Sequence, residues 1–268
     1  MTPKKPITYG TTQNPNNRAP YAKNVIAISS GKGGVGKSTV AANIAVGLAQ
    51  KGLHVGLLDA DIYGPSIPRL FGIENERITW NDQDKMIPSV NFGVKVMSVG
   101  LTTPRNDTPL VWRSSVAISA LIQFLDDVAW GELDYLVIDM PPGTGDVQLT
   151  MAQELPLSGV ILVTTPQKVA TDDVSRALVM FQDINVPILG IVENMSYFIA
   201  PDTGTRYNIF GSGGAQALCD DYGVVLLGQI PLQSEIIELC DEGKMAIALG
   251  DEKIQESYKE IVEKIVKK

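Results

Sequence analysis

Short apolar runs alternate along this chain with longer segments that are apolar at every third or fourth position. The short runs are apolar at nearly every residue, which is typical of strands buried on both faces of a parallel sheet. The longer segments have the period of helices that pack one side against a core. Strands are predicted at residues 25–29, 54–58, 135–138, 160–164, 188–192 and 224–227, and helices at 39–50, 114–128, 147–154, 171–184, 214–222 and 254–266.

This alternation predicts a doubly wound α/β fold, with a mostly parallel sheet and helices on both faces. The pattern changes between residues 73 and 110, where the apolar runs at 78–80, 86–89 and 94–99 are short. We expect an inserted hairpin region there and not a second domain. Residues 23–268 as a whole are therefore predicted to form a single domain.

Composition and charge narrow the classes of partner. The chain has 268 residues, is 44% hydrophobic and carries a formal net charge of -8, which disfavours a nucleic-acid-binding surface because such surfaces cluster Lys and Arg. No run approaches the roughly eighteen apolar residues of a membrane span. Residues 1–22 are polar, rich in proline and without a hydrophobic signal core. We expect a flexible N-terminal arm and a cytoplasmic protein without stable membrane insertion.

Residues 31–38 match the phosphate-binding loop (P-loop) pattern G-x-x-x-x-G-K-[ST], between a predicted strand and a predicted helix. Its glycines let successive backbone N–H groups point at one oxyanion. Lys37 can reach the β- and γ-phosphates, and the Ser38 hydroxyl can ligate Mg²⁺. The pattern predicts a nucleoside triphosphate held by Gly31, Lys32, Gly33, Gly34, Val35, Gly36, Lys37, Ser38 and Thr39.

A dinucleotide site is a second interpretation of the same loop. Gly31, Gly33 and Gly36 also spell G-x-G-x-x-G, and Asp59 ends the next strand about where a ribose-binding acid would stand. This interpretation leaves Lys37 without a role, since a dinucleotide pyrophosphate is held by backbone and helix dipole.

Acidic residues follow two of the predicted strands, at the edge where such folds bind their ligands. Asp139 is predicted to share Mg²⁺ with Ser38, while the amide of Gly143 follows the γ-phosphate. Asp61 is the better candidate to orient the attacking water, because it lies past the strand end on a loop that can face the γ-phosphate. The sequence therefore predicts a nucleotidase in which Lys37 and Asp61 are catalytic.

Lys32 matches the signature lysine of the deviant P-loop ATPases, the class that includes MinD, ParA, the arsenite pump ATPase and the nitrogenase iron protein. Within that class the chain resembles the Mrp family of iron–sulfur cluster carriers over about residues 24–250. The motifs that carry the resemblance lie at residues 59–66, 139–146, 192–196 and 209–214.

The resemblance implies a Mg²⁺-dependent ATPase that works as a nucleotide-sandwich homodimer, with Lys32 acting on the phosphates bound by the other subunit. It also implies that Asn194 reads the adenine and that Pro231, in the segment 229–231, lines the base pocket. The implied role is to bind or transfer iron–sulfur clusters, or to assist their delivery to client apoproteins.

One feature departs from the family pattern. Many members carry Cys-x-x-Cys where this chain has residues 200–203, Ala-Pro-Asp-Thr. Alanine and threonine supply no thiolates, so the usual cluster ligands are absent. The chain's two cysteines, Cys219 and Cys240, lie in apolar-periodic segments and are expected to be buried and inert. Whether a cluster binds through other ligands stays open.

A positioning ATPase of the MinD or ParA kind is the alternative function. Residues 254–266 form a predicted helix with one apolar face, which could lie on a membrane or pack against the domain's own sheet. Its polar face is mixed in charge, which favours packing on the sheet.

Overall fold

The structure is a computed structural model that describes residues 18–102 and 114–267. Within those ranges the strands are β1 (Ala22–Ser30), β2 (Val55–Asp59), β3 (Thr79–Trp80), β4 (Met86–Ile87), β5 (Ser89–Asn91), β6 (Val94–Ser98), β7 (Leu133–Asp139), β8 (Gly159–Thr164), β9 (Ile188–Glu193), β10 (Phe198–Ile199), β11 (Arg206–Tyr207) and β12 (Leu226–Gln229). The helices are α1 (Lys37–Gln50), α2 (Ile67–Leu70), α3 (Ser114–Asp127), α4 (Asp146–Glu154), α5 (Lys168–Asp183), α6 (Gly214–Tyr222), α7 (Ser234–Asp241), α8 (Ala246–Leu249) and α9 (Glu252–Val266).

Eight of the described strands form one sheet in the order β12-β9-β8-β1-β7-β2-β6-β5. Every neighbouring pair is parallel except β5 with β6. The parallel strands therefore all end at the same edge of the sheet, and the loops that follow them meet there. The predicted doubly wound α/β fold is confirmed.

The region predicted as an inserted hairpin contributes strands to two different sheets. β3 and β4 form a separate antiparallel ribbon, but β6 runs parallel to β2 within the central sheet. β5 and β6 pair antiparallel as a hairpin, but β6 also lies inside the central sheet with Val94, Val96 and Met97 buried, so residues 94–98 are not an insertion outside the sheet. Residues 103–110 of the expected insertion lie outside the described residues.

The expected N-terminal arm is also corrected where the structure describes it. Ala19 is fully buried, and the Tyr21 hydroxyl donates a hydrogen bond to the Leu125 carbonyl at 2.9 Å. The part of the arm at 18–22 therefore packs on α3 as part of the domain. Residues 1–17 lie outside the described residues.

The sheet separates two apolar layers. Ile26 and Ile28 of β1 pack with α1, α8 and α9 on one face, while Val25 and Ala27 pack with α3, α5 and α6 on the other. This alternation explains why residues 25–28 of the strand are all apolar, since each of them meets a helix layer on its own side.

The C-terminal helix α9 uses its apolar face for the core. Ile254, Tyr258, Ile261, Val262 and Ile265 are all buried in the layer that contains α1. Packing on the sheet is therefore the arrangement that the structure shows for this helix. Among the described residues, no helix is long and apolar enough to cross a membrane.

The Tyr258 hydroxyl allows a test of the packing in this layer. The Tyr258 hydroxyl is buried without a hydrogen-bond partner among the described residues. Because an unpaired buried hydroxyl lowers stability, Tyr258→Phe should leave the free energy of unfolding unchanged or raise it by about 1 kcal/mol. The matched control is Tyr21→Phe, which removes the bond to Leu125 and should cost about 1 kcal/mol in urea unfolding. A loss of similar size for both variants would contradict the assignment.

Candidate nucleotide-binding site

The loop between β1 and α1 adopts backbone conformations that favour glycine. Gly34 and Gly36 have φ angles of 81° and 82°, in the left-handed region. Gly36 is the N-cap of α1, without a side-chain cap, and the first helical bond runs from the Val40 N–H to its carbonyl at 3.0 Å. The amides of the first turn of α1 are therefore placed to receive an anion.

Close packing explains two of the loop glycines. A Cβ at Gly31 would overlap the backbone of Asp173 in α5, and a Cβ at Gly36 would overlap the Asn194 side chain. At Gly33, by contrast, an added Cβ meets no atom of the described chain within 4 Å. The loop thus packs against α5 at Gly31 and against Asn194 at Gly36, while Gly33 faces away from the described chain.

The predicted catalytic residues meet at this loop. The Lys37 Nζ donates to Asp139 Oδ1 at 2.6 Å and to Ser38 Oγ at 3.2 Å, and it lies 3.7 Å from Asp61 Oδ2. The Lys37 and Asp139 side chains are 6% and 0% exposed, and that of Asp61 is 13% exposed. Asp61 is therefore the carboxylate of this group that solvent reaches most easily.

Asp139 has the chemistry of a Mg²⁺ ligand. Burial raises its pKa, which the Lys37 ammonium and hydrogen bonds from Lys37 and Ser38 oppose. Its second oxygen, Oδ2, is buried without a hydrogen-bond partner among the described residues. A cation or its water fits this orphaned acceptor. Among the described residues, no group of three or more His, Cys, Asp or Glu side chains is placed to hold a metal ion.

Asp59 plays a part that the sequence did not reveal. Its Oδ1 accepts from the Asp61 N–H at 3.2 Å, and its Oδ2 accepts from the Ile67 N–H at 3.3 Å and from the Ser98 hydroxyl at 2.9 Å. It therefore holds both ends of the loop that carries Asp61. Burial and the Asp139 charge raise the pKa of Asp59 to about 8. Since Asp59 is fully buried by these contacts, it does not face a ribose as the dinucleotide interpretation requires.

The loop after β7 is fixed to the end of β1. The Gly143 N–H donates to the Ser30 carbonyl at 2.9 Å, and the φ angle of Gly143 is 102°. The Gln148 side chain donates to the Pro142 carbonyl within the same loop. Gly143 therefore lies next to the P-loop, as a segment that follows the γ-phosphate must.

The predicted base-side residues lie on the other flank of the P-loop. The Asn194 side chain donates to the Val35 carbonyl at 2.9 Å. Pro231 is buried two residues after the end of β12, and the Ser196 N–H donates to the carbonyl of the intervening Ile230 at 2.9 Å. The segments 194–196 and 229–231 are thus paired beside the loop.

Lys32 lies near the start of the loop, and Thr39 lies in the first turn of α1. The Lys32 carbonyl accepts from the Ser30 hydroxyl at 2.9 Å, and among the described residues its ammonium forms no ion pair. The Thr39 side chain instead hydrogen-bonds with Cys240 of α7. Lys32 is therefore the lysine of the loop that has no ion-pair partner in the described part of the chain.

Both cysteines are free and buried, as expected. Burial and the neighbouring acids Asp220 and Glu193 raise the pKa of Cys219 to about 11, and burial raises the pKa of Cys240. Thiols with raised pKa values are poor sources of the thiolates that iron binds.

The segment that replaces the family's Cys-x-x-Cys forms the turn between β10 and β11. The Ala200 N–H donates to the Thr205 carbonyl at 2.9 Å, and the Gly204 N–H donates to the Ala200 carbonyl at 2.8 Å. Ala200 is buried, whereas Thr203 is exposed at the tip.

A phosphate-binding loop between a central strand and its helix, with acids at the ends of the neighbouring strands, defines a P-loop NTPase. A model of the family described as ParA, NUBPL iron-transfer P-loop NTPase, matches residues 21–266. The chain belongs to this family, and the resemblance found in its sequence is confirmed.

Known proteins agree with this assignment. The iron-sulfur cluster carrier protein of Aquifex aeolicus is 48% identical over 242 residues, which are 90% of this chain and 66% of that relative. The chain thus spans just under two thirds of that relative's length. A nucleotide-binding protein of Archaeoglobus fulgidus, solved in complex with ADP, has 42% identity and a TM-score of 0.76, covering 85% of this chain and 89% of that one. The cell division ATPase MinD of Pyrococcus furiosus, at 23% identity and a TM-score of 0.70 over 91% and 98% of the two chains, shares the fold.

Proposed function

We propose that this chain is a Mg²⁺-dependent ATPase of iron–sulfur protein assembly, which binds or transfers clusters or assists their delivery to client apoproteins as a nucleotide-switched homodimer. The observation that carries the hydrolytic part is the buried group of Lys37, Asp139 and Asp61 beside an uncapped helix N-terminus. The cluster part is supported by the family match and by the similarity to the iron-sulfur cluster carrier protein of Aquifex aeolicus.

The charges suit phosphoryl transfer to water. In hydrolysis the water oxygen bonds to the γ-phosphorus while the bond to the bridging oxygen breaks, and ADP and phosphate leave. The amides of α1 and the Lys37 ammonium stabilise the charge on the phosphate oxygens. Lys37 has a flexible stem, so its ammonium can turn from Asp139 toward the β- and γ-phosphates. Asp61, the more exposed acid, orients the water.

Asp139 and Ser38 would hold the Mg²⁺ that accompanies ATP, directly or through its water. When bound, the ion would neutralise negative charge on the phosphates. What the chain itself contributes is a deeply buried acceptor, Asp139 Oδ2, next to the hydroxyl of Ser38.

Two substitutions should separate binding from hydrolysis. Lys37→Ala should lower ATP turnover by about 100-fold or more and weaken ATP binding, because the loop loses its ammonium. Asp61→Asn should lower turnover by a similar factor but leave the affinity for Mg²⁺-ATP within about threefold, because only the water is disturbed. Phosphate release and titration calorimetry measure the two quantities, with Lys51→Ala as control, because Lys51 is an exposed lysine at the C-terminal end of the same helix. Wild-type turnover in Lys37→Ala would refute the assignment, and equal loss of affinity in Asp61→Asn would make Asp61 structural.

The dimer rests on Lys32. Its ammonium, which has no ion-pair partner in the described part of the chain, suits the phosphates of a nucleotide bound by a second subunit. Lys32→Ala should therefore lose dimerisation with a nonhydrolysable ATP analogue while keeping most of its ATP affinity. Light scattering gives the mass per particle. Lys23→Ala, which removes a lysine near the start of β1, is the matched control. A wild-type mass that does not change with nucleotide would rule out the nucleotide-switched dimer.

Binding of an iron–sulfur cluster depends on thiolates, which the β10–β11 turn lacks. Protein isolated anaerobically should contain less than stoichiometric iron and sulfide, and its ATPase activity should not depend on iron. The double variant Ala200→Cys and Thr203→Cys should gain cluster absorbance, whereas Ala200→Ser and Thr203→Ser should not, because a hydroxyl is a poor iron ligand. Stoichiometric iron in the wild type would contradict this prediction. Loss of that iron in Cys219→Ser or Cys240→Ser would identify the buried thiols as ligands.

The alternative of a membrane-positioning ATPase loses its main support from the sequence. The apolar face of α9 that could have met a lipid surface is buried against α1 and the sheet. The MinD similarity concerns the fold alone.

A further inference from the structure

A buried carboxylate outside the phosphate site joins three separate segments of the chain. Glu193, the last residue of β9, is 1% exposed. Its Oε1 accepts from the Ser196 hydroxyl at 2.6 Å and from Gln229 Nε2 at 2.7 Å, and its Oε2 accepts from the Ala215 N–H at 3.1 Å. Glu193 forms no ion pair within the described residues, so its charge is balanced by these donors and by the N-terminus of α6.

Two of the donors, Ser196 and Ala215, lie at the two ends of one segment that leaves the sheet and returns to it. After Ser196 the chain leaves the sheet, forms the β10–β11 hairpin and returns at the start of α6, where Ala215 lies. The same carboxylate thus binds both roots of the hairpin. The turn at the first root is strained, because Met195 has a φ angle of 53°. The bond from Ser196 to Glu193 closes that turn across three residues.

The third donor connects this anchor to the base flank of the P-loop. Gln229 ends β12, and the next residue, Ile230, donates its N–H to the Glu193 carbonyl at 2.9 Å. The residue after Glu193 is Asn194, whose side chain contacts the Val35 carbonyl of the P-loop. A shift of the carboxylate would therefore move both segments that border this side of the loop.

We propose that Glu193 is a positioning residue for the base half of the nucleotide site, which holds Asn194 and the segment 229–231 against the P-loop and ties the β10–β11 hairpin to them. The inference rests on the proposed function, because it needs a nucleotide whose base lies on this flank. A carboxylate suits the position because three donors converge on it and it offers acceptors only. A glutamine would turn an N–H toward one of those donors.

The test compares a ligand that has a base with one that lacks it. Glu193→Gln should weaken binding of a nonhydrolysable ATP analogue by about tenfold, because a hydrogen bond to a charged group is lost where the base is held. Binding of Mg²⁺-tripolyphosphate should stay unchanged, because Lys37, Asp139 and the loop amides are untouched. Titration calorimetry measures both affinities. Glu263→Gln, which removes an exposed carboxylate of α9, controls for net charge and should alter neither.

Hydrogen exchange gives the second readout. Amides of the β10–β11 hairpin should exchange faster in Glu193→Gln than in the wild type, while amides of β1 and β7 should not. Ser196→Ala keeps the carboxylate and removes one donor, so it should produce the same selective loss of analogue affinity to a smaller extent even where Glu193→Gln folds poorly.

The outcomes separate the two proposals. Unchanged analogue affinity in both variants, or equal weakening of the analogue and tripolyphosphate, would overturn the role of Glu193 while leaving the proposed ATPase intact. Failure of the wild type to bind either ligand would overturn the proposed ATPase and this inference with it. Selective loss of the analogue together with faster hairpin exchange supports the inference.

Discussion

The buried ion pair between Lys37 and Asp139 is the contact on which the site depends. Removing two charges from water costs several kcal/mol per ion, and their attraction offsets that cost only when the geometry is good. The sheet provides this geometry, because β1 and β7 are neighbours with Ile28 opposite Asp139. Asp139 therefore ends beside the turn into α1, and Lys37 in the first turn of that helix reaches it at 2.6 Å. A different strand order would leave both charges buried and unpaired.

Two more acidic residues lie at the same edge. Asp59 and Asp61 are beside the ion pair, and burial raises the pKa of both carboxyl groups. A raised pKa means that these groups keep their protons more firmly than in water, and a cation that entered the site would favour their ionised forms. Phosphate accompanied by Mg²⁺ therefore suits this group of acids better than bare phosphate does. The arrangement thus explains why the helix N-terminus alone does not decide what binds here.

The sequence was sufficient for whatever depends on local spacing. The P-loop and the acids at the strand ends could be predicted, because a parallel sheet brings the residues after each strand to one edge. The place of β6 in the central sheet was missed because its short apolar run lies among polar turns, and the sequence pattern does not show that this strand pairs with β2 as well as with β5. The role of Glu193 could not be derived, since its donor Gln229 is 36 residues away in the chain. The signal available in the sequence was Glu193 itself, an acidic residue at the end of the apolar strand β9.

The two halves of the site are therefore held by different forces. The phosphate half is organised by charge, around one lysine and carboxylates whose pKa values depend on one another. The half proposed to hold the base is organised by hydrogen bonds to a single carboxylate and by backbone pairing between neighbouring segments. Glu193 ties both roots of the β10–β11 hairpin to this second half. If the base binds there as proposed, a change in the hairpin would reach the nucleotide through the base and leave the Lys37–Asp139 ion pair in place, because Glu193 contacts neither member of that pair.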